Sequence, residues 1–253
     1  MMDLGPGPVL FVHAHPDDET LATGALVAAL VAGGTEVAVV TATRGEMGEV
    51  VPGTVPAGAG PEELVAAREA ELGRALRVLG VTTSAFLGTP PARAAGRPPR
   101  RYLDSGMRWV TPTVAGPAIE SDHHSLTAAA LDEVVDDLCA YIEVVRPSAL
   151  VGYDVDGSYG HPDHVRCHHA TLAAARRTGV DLYEVVSISH GNSADGPGAE
   201  WFHLAEHEPT VVEALRQHAS QVTVHRLADG RHEVEHVGGQ REPVLTSLGL
   251  RRR

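Results

Sequence analysis

The stretch VLFVHAHPDDE, residues 9–19, and the two segments that follow it decide the fold. Residues 9–13 are a short apolar run, which is typical of a strand buried on both faces. Residues 20–32 repeat apolar side chains at helical spacing and end at Gly33 and Gly34, which predicts a helix. Residues 36–41 predict a second buried strand. Strand, helix and strand within about 35 residues form a βαβ unit, which implies a parallel sheet.

The alternation continues along the chain. Further strands are predicted at residues 82–87, 149–153 and 182–189, and further helices at 61–79, 126–145, 162–177 and 209–217. We therefore expect one α/β domain over residues 1–253, with its organisation least defined after residue 190. The Gly- and Pro-rich segments 43–60 and 89–125 are predicted loops, and a loop as long as the second is usually functional.

The charge of the chain disfavours some classes of partner and of mechanism. Thirty-three acidic residues against 20 basic ones give a net charge of −13, a poor basis for binding nucleic acid. This balance suits a protein that acts on a small molecule. Every basic side chain other than histidine is arginine, and the absence of lysine excludes a lysine Schiff base and a phosphate-loop lysine.

The cysteines and the terminal segments predict the surroundings of the protein. Cys139 and Cys167 form no close metal-binding pair, so we expect a reducing, cytoplasmic compartment. We expect no signal peptide and no membrane span, because no apolar run approaches the roughly 20 residues that a span requires. The sequence leaves assembly into a homo-oligomer open. Four histidines near the end are interpreted as solvated surface: His218, His225, His232 and His236.

Two polar segments carry the chemistry. HAHPDDE covers residues 13–19 and YGHPDH covers residues 159–164. Each follows a predicted strand and precedes a predicted helix. Because ligands of open α/β sheets bind outside the carboxyl ends of the strands, both segments are expected to meet at one edge of the sheet.

The residue types in these segments fit a catalytic metal site, which uses three protein ligands and an open position. His15 and Asp18 lie three positions apart at a turn, and His164 supplies a third ligand. Asp17 is then left to take a proton, and His161 to act as an acid or to stabilise an oxyanion. The alternative is that the two aspartates only cap a helix and that His164 is a surface residue. Two such turns at strand ends make this alternative the weaker one.

On the motifs AHPDDE, residues 14–19, and HPDH, residues 161–164, the sequence resembles the LmbE-like, or PIG-L, family of metal-dependent N-deacetylases. Within the family it is most similar to the mycothiol branch, which holds the N-acetylglucosaminyl-inositol deacetylase and the mycothiol-conjugate amidase. That similarity lies in GEMGEV at 45–50, residues 68–80, DSGM at 104–107, residues 153–167 and ASQV at 219–222.

The resemblance implies a Rossmann-like open, mostly parallel sheet with helices on both faces and Zn2+ at its carboxyl edge, with Fe2+ as an alternative metal. It assigns the metal to His15, Asp18 and His164, the general base to Asp17, and stabilisation of the tetrahedral intermediate to His161, oriented by Asp163. It places Tyr159 near the substrate carbonyl and assigns substrate hydroxyls to Arg68 and Asp104. Alternatively, Arg68 pairs with Glu71 along one helix face, and Asp104 caps a turn.

The implied reaction removes an N-acetyl group from an N-acetylglucosamine-type sugar. An amidase of mycothiol S-conjugates and an antibiotic-tailoring deacetylase are the alternatives among hydrolases, because residues 93–125 and the region after 190 depart from the branch. An Fe(II) oxygenase shares the ligand types but is expected on a β barrel. A metal-containing binding module on the same fold is the non-enzymatic alternative, although the first turn lacks the glycines of a dinucleotide site.

Overall fold

A computed structural model describes residues 4–111, 113–119, 122–187 and 198–253. The strands are β1 (Val9–His13), β2 (Val37–Thr41), β3 (Thr83–Phe86), β4 (Met107–Thr111), β5 (Val114–Pro117), β6 (Ala149–Tyr153), β7 (Asp181–Val185), β8 (Glu200–His203), β9 (Val222–Arg226), β10 (His232–His236), β11 (Arg241–Pro243) and β12 (Ser247–Arg252). The helices are α1 (Asp18–Leu21), α2 (Gly24–Ala32), α3 (Pro61–Leu79), α4 (Leu131–Val145), α5 (Pro162–Thr178) and α6 (Glu208–Leu215).

The main sheet has the strand order β3-β2-β1-β6-β7-β12-β8. Its first five strands are parallel, and Val9 of β1 is in register with Val37 of β2 on one side and with Ala149 of β6 on the other. Strand β12 pairs antiparallel with β7 on one side and with β8 on the other, and both β8 and β12 follow residue 198 in the chain. The predicted open, mostly parallel α/β sheet is confirmed.

Apolar side chains of the central strands face both sides of the sheet, because successive residues of a strand point in opposite directions. Val9 and Phe11 of β1 belong to one core, which they share with α2, α3 and α6. Leu10 and Val12 belong to the other, shared with α4 and α5. Each fully buried Val, Leu or Phe contributes about 1.5–3 kcal/mol. The predicted arrangement of helices on both faces is confirmed.

Several predicted boundaries are wrong. The helix predicted over 20–32 is divided into α1 and α2, and the helix predicted over 126–145 begins only at Leu131. The loop predicted over 89–125 contains the antiparallel pair β4–β5, whose second strand includes Gly116 and Pro117 and so lacks a readable strand pattern. The strand predicted over 182–189 is observed as Asp181–Val185, and its residues 188 and 189 lie outside the described residues.

The region after residue 198 is integrated into the fold. Strands β8 and β12 extend the main sheet, and β9, β10 and β11 form a small antiparallel sheet. The surface interpretation is wrong for His218, which is 0% exposed and contacts Glu19. The other three histidines that were interpreted as surface each contact a carboxylate: His225 with Glu235, His232 with Glu208 and His236 with Glu242.

Two observations concern the surroundings of the chain. Among the described residues, no helix has both the length and the apolar character needed to cross a membrane. Both thiols are free, with Cys167 buried and Cys139 half-buried.

Candidate active site

Two turns at the carboxyl edge of the sheet bring the polar segments together. Strands β1 and β6 are parallel neighbours, so the segment that follows each of them leaves the sheet at the same edge. The ring centroids of His15 and His161 lie 4.5 Å apart, and those of His15 and His164 lie 5.3 Å apart. These side chains are separated by almost 150 residues of sequence and meet as the strand order requires.

The Asp18 carboxylate lies between two histidine nitrogens. Its Oδ2 is 3.3 Å from His15 Nδ1, and its Oδ1 is 3.3 Å from His164 Nε2. The His15 backbone N–H and the Tyr153 hydroxyl both donate to Oδ2, at 2.8 and 2.7 Å. These two bonds fix the carboxylate and leave Oδ1 facing His164.

The other ring nitrogen of each histidine contacts a second group. His15 Nε2 lies 3.2 Å from Asp163 Oδ2, and His164 Nδ1 lies 3.2 Å from the Gly157 carbonyl. The opposite nitrogens, His15 Nδ1 and His164 Nε2, face the Asp18 carboxylate. His164 Nε2 is buried and has no hydrogen-bond partner within the described chain. A histidine held in this way by a carboxylate or carbonyl is the usual arrangement behind a metal ligand.

The structure also allows a wider set of donors. One ligand atom from each of His15, His161 and His164 lies within 4.8 Å of the others. The His161 Nδ1 already accepts the Asp163 backbone N–H at 3.1 Å, since His161 caps α5. These nitrogens, with the Asp18 carboxylate 3.3 Å from His15 Nδ1 and from His164 Nε2, are donors of the types that bind a divalent cation.

Asp163 contacts two histidines of the site. Its carboxylate contacts His15 and accepts the N–H and hydroxyl of Ser105, whereas only its backbone N–H reaches His161. The first turn of α5 explains this, because an N-cap residue accepts from the backbone while the Asp163 side chain points away. The backbone N–H of Asp163 thus holds the His161 ring, and the role of Asp163 in orienting His161 for catalysis stays a prediction.

Asp17 has an unusual backbone and an unusual acidity. Its φ is 105°, a value that residues other than glycine rarely adopt. Burial, together with the negative charge of Asp18, raises the pKa of its carboxyl group to about 7. A carboxyl group in this range can take up and return a proton near neutral pH, as a general base must.

His161 and Tyr159 remain neutral donors. Burial and the charges of His15 and His164 lower the pKa of His161 to about 2. Since its Nδ1 is an acceptor, the neutral ring carries its proton on Nε2. Burial raises the pKa of Tyr159, whose ring centroid lies 5.2 Å from that of His164. Both side chains are suited to donating hydrogen bonds to a developing oxyanion.

Asp104 faces the same centre. Its Oδ1 lies 3.7 Å from His15 Nε2 and accepts the Gly106 N–H at 2.8 Å. Burial opposes ionisation of Asp104, but the charge of His15 outweighs it and lowers the pKa of the carboxyl group. The carboxylate thus caps a turn, as in the alternative interpretation, and also borders the site.

Arg68 lies beneath the loop that follows β2. It is 1% exposed and donates to the backbone carbonyls of Gly45, Gly48 and Glu49. A Cβ at residue 48 would lie 2.7 Å from Arg68 Nη1, so the second glycine of GEMGEV leaves room for the guanidinium group. Glu71 does not serve as its main partner, since that carboxylate accepts from Ser220. These contacts indicate that Arg68 supports the loop, and its contact with substrate stays a prediction.

Replacing Arg68 with alanine should therefore destabilise the protein. We expect the free energy of unfolding to fall by about 3 kcal/mol, because buried carbonyls lose a charged donor. Urea denaturation measures this, with Arg74→Ala as the control, since Arg74 is an exposed arginine on the same helix. Unchanged stability with a raised KM would instead support direct contact between Arg68 and substrate.

Sequence reasoning missed several residues around the site. Glu19 belongs to the first motif and Gln221 to ASQV, but the motifs assign no role to either side chain. The Trp109 ring lies 5.7 Å from that of Tyr159 and is 48% exposed, but it belongs to the hairpin that was predicted as a loop. Tyr153, which donates to Asp18, and His218, which contacts Glu19, also received no role from the sequence.

The fold and this site define a class of protein. A parallel α/β sheet that presents a His–Asp–His donor set at its carboxyl edge is the arrangement expected for the family named above. The family model "PIG-L: GlcNAc-PI de-N-acetylase" matches residues 10–175, and the chain belongs to this family. The family resemblance inferred from the two motifs is confirmed.

Similar proteins carry the name of the expected branch. The chain is 38% identical over 217 residues to a 1D-myo-inositol 2-acetamido-2-deoxy-alpha-D-glucopyranoside deacetylase of Kineococcus radiotolerans, in an alignment that covers 84% of this chain and 55% of the relative. It is 34% identical to the deacetylase of the same name from Actinosynnema mirum, with 95% and 89% covered. The chain thus spans about half the length of the first relative.

A solved structure shares the fold over nearly the whole chain. It is a deacetylase of the teicoplanin biosynthesis pathway in complex with teicoplanin, with a TM-score of 0.60 at 21% identity. The match covers 97% of this chain and 99% of that one. The match therefore includes most of residues 198–253, a region whose organisation the sequence left undefined.

Proposed function

We propose that this protein hydrolyses the N-acetyl group of an N-acetylglucosamine-type amino sugar or glycoside, giving acetate and a free amine. The observation that carries the proposal is the pair of histidine nitrogens, His15 Nδ1 and His164 Nε2, each 3.3 Å from an oxygen of the Asp18 carboxylate. The names of the similar proteins support the substrate class, since both refer to removal of acetyl from a 2-acetamido-2-deoxyglucoside.

We propose Zn2+ as the metal, held by His15, Asp18 and His164, with Fe2+ as the alternative. Two nitrogens and one carboxylate are a common ligand set of catalytic zinc. When bound, a divalent cation supplies Lewis acidity toward a carbonyl and lowers the pKa of water. The buried His164 Nε2, which has no hydrogen-bond partner within the described chain, supports this assignment.

The protein side chains then have separate tasks. Asp17 takes a proton from the attacking water, for which its pKa of about 7 is suited. The neutral His161 donates its Nε2–H to the developing oxyanion, and the Tyr159 hydroxyl adds a second donor. The proton held by Asp17 passes to the leaving nitrogen as the amide C–N bond breaks. Asp163 contacts His15 Nε2 and so holds the ring with Nδ1 toward the Asp18 carboxylate.

Substrate contacts are proposed at the rim of the site. Asp104 is an acceptor for a sugar hydroxyl, and Arg68 is a further candidate only if the loop above it moves. The half-exposed Trp109 ring stands next to Tyr159 and so borders the place where the sugar ring would lie. The hairpin is fixed there by the Ala115 N–H, which donates to the Tyr159 carbonyl at 2.8 Å.

Replacing Trp109 with alanine should raise KM by about 3- to 10-fold, the loss expected when one aromatic packing contact is removed. The value of kcat should change less, because Trp109 touches none of the proposed catalytic atoms. Steady-state kinetics on the accepted sugar measure this, and Trp109→Phe is the matched control that keeps a ring. An alanine variant with the KM of the native protein would remove Trp109 from the binding site.

The two free cysteines bear on the compartment of the protein. We propose a cytoplasmic, reducing compartment, which the free thiols of Cys139 and Cys167 support. Assembly into a homo-oligomer stays a prediction of the sequence.

The function is tested by acetate release from N-acetylglucosamine and from N-acetylglucosaminyl-inositol. The purified protein is assayed with Zn2+, with Fe2+ under anaerobic conditions, and after removal of metal by a chelator. Release that requires metal supports the proposal, and the preferred sugar defines the branch. Absence of release from both sugars, in a protein that binds metal, would overturn it and direct the search to amide conjugates.

A further inference from the structure

The backbone at Asp17 is held in a conformation that costs energy. A φ of 105° at a residue with a Cβ is strained and persists only where neighbouring groups impose it. The same dihedral angle sets the direction in which the Asp17 side chain leaves the backbone. Whatever holds this peptide therefore also aims the proposed general base.

Both polar groups of the Pro16–Asp17 peptide are bonded to side chains. The Asp17 N–H donates to Glu19 Oε2 at 2.9 Å. The Pro16 carbonyl accepts from Gln221 Nε2 at 2.7 Å. The peptide plane is thus held from two sides, by one side chain of the same turn and by one that lies 205 positions further along the chain.

His218 holds Glu19 in turn. Its Nε2 donates to Glu19 Oε1 at 2.7 Å, and both side chains are 0% exposed. A buried glutamate without a partner would be strongly unfavourable, so His218 fixes both the position and the charge of Glu19. Glu19 Oε1 also accepts the Thr20 hydroxyl, which leaves Oε2 for the Asp17 N–H.

The turn that carries His218 and Gln221 is rigid. It follows α6, and the backbone N–H groups of Gln221 and Val222 both donate to the His218 carbonyl, at 2.9 and 3.0 Å. Between them, Ser220 donates through its N–H and its hydroxyl to Glu71 of α3, at 2.9 and 2.6 Å. The two side chains therefore reach the Pro16–Asp17 peptide from a support fixed to a long helix.

We propose that His218 and Gln221 are positioning residues for the reaction: they hold the Pro16–Asp17 peptide in its strained conformation and so direct the Asp17 carboxylate. The catalytic part of this proposal rests on the proposed function. Neither residue touches the proposed metal ligands through its side chain in the contacts described above. Their loss should therefore lower kcat while metal affinity and KM stay close to those of the native protein.

The experiment compares His218→Leu, His218→Gln and Gln221→Leu. Glutamine at 218 keeps an N–H donor, whereas leucine removes the donor at either position. The control is His232→Leu, which removes a histidine–glutamate bond of similar length, 2.8 Å to Glu208, in the small sheet. Thermal melts establish that each variant is folded, and metal content is measured for each.

Two readouts are used, one of which needs no substrate. The Asp17 amide should exchange its hydrogen faster in His218→Leu and Gln221→Leu than in the native protein. Its exchange rate should be native in His232→Leu and close to native in His218→Gln. We expect kcat to fall by about 10- to 100-fold in the leucine variants, since a displacement near 1 Å at a reacting group costs about this much. The glutamine variant should recover most of the lost kcat.

The outcomes separate the positioning role from the proposed function. Folded leucine variants with native Asp17 exchange and native kcat would overturn the positioning role. Equal losses in His232→Leu would overturn it too, because the effect would then be one of general stability. If the native protein releases no acetate but the exchange pattern is as expected, the proposed function fails and the backbone role of His218 and Gln221 stands. If His218→Leu does not fold, Gln221→Leu and His218→Gln decide.

Discussion

Replacing Asp17 with asparagine should leave a folded protein that binds metal but turns over about 10²- to 10⁴-fold more slowly, the usual contribution of a general base. Asparagine has the same size and can occupy the same strained backbone, and its N–H can still donate to Glu19. What it lacks is the ability to accept a proton from water. The reduction should therefore appear in kcat, with KM changed little.

The measurement combines single-turnover kinetics with metal analysis of the same sample. Asp18→Asn is a useful contrast, because Asp18 contacts both His15 and His164 and its change should reduce metal content as well. A fully active Asp17→Asn protein would remove Asp17 from the role of base. In that case Asp104, which also borders His15, would be the next candidate.

Replacing His164 with alanine should abolish tight metal binding. Changes to the groups that merely orient a metal ligand cost about 10- to 100-fold in affinity, so loss of a ligand should cost at least about 100-fold. The effect is expected to fall on the metal site, because His164 Nε2 faces the Asp18 carboxylate at 3.3 Å and has no hydrogen-bond partner within the described chain. Activity should fall with metal occupancy and should recover only in part at high Zn2+.

Competition with a chromophoric chelator measures the affinity of each variant for Zn2+. His169→Ala is the matched control, because His169 is an exposed histidine of the same helix, α5. His161→Ala discriminates between the two donor sets and should retain the metal while losing turnover. Native affinity in His164→Ala would show that His161 takes the third ligand position.

Local patterns account for what the sequence could predict. The apolar run of β1, the helical spacing after it and the apolar run of β2 specify a βαβ unit, and the motifs at the ends of β1 and β6 specify where the site lies. Parallel neighbours deliver His15 and His164 to one edge without further information. The central sheet and the meeting of the two motifs follow from these rules.

Contacts between distant segments account for what the sequence could not predict. His218 looked like a surface residue because nothing near it in sequence is catalytic, yet its partner Glu19 lies 199 positions away. The sequence likewise does not show that the Asp163 carboxylate reaches His15 and Ser105, which come from other segments of the chain. The hairpin of β4 and β5 was missed because glycine and proline interrupt its alternation.

The strand order also has a consequence for how the chain emerges from the ribosome. Strand β7 pairs with β6 on one side and with β12 on the other, in the register Leu250 with Val185 and Arg252 with Tyr183. Because β12 follows all five parallel strands along the chain, the edge of β7 that it covers stays open during synthesis until β12 is made. Unpaired edges are sites of aggregation, so the nascent chain passes through a vulnerable stage until residues 247–252 are made.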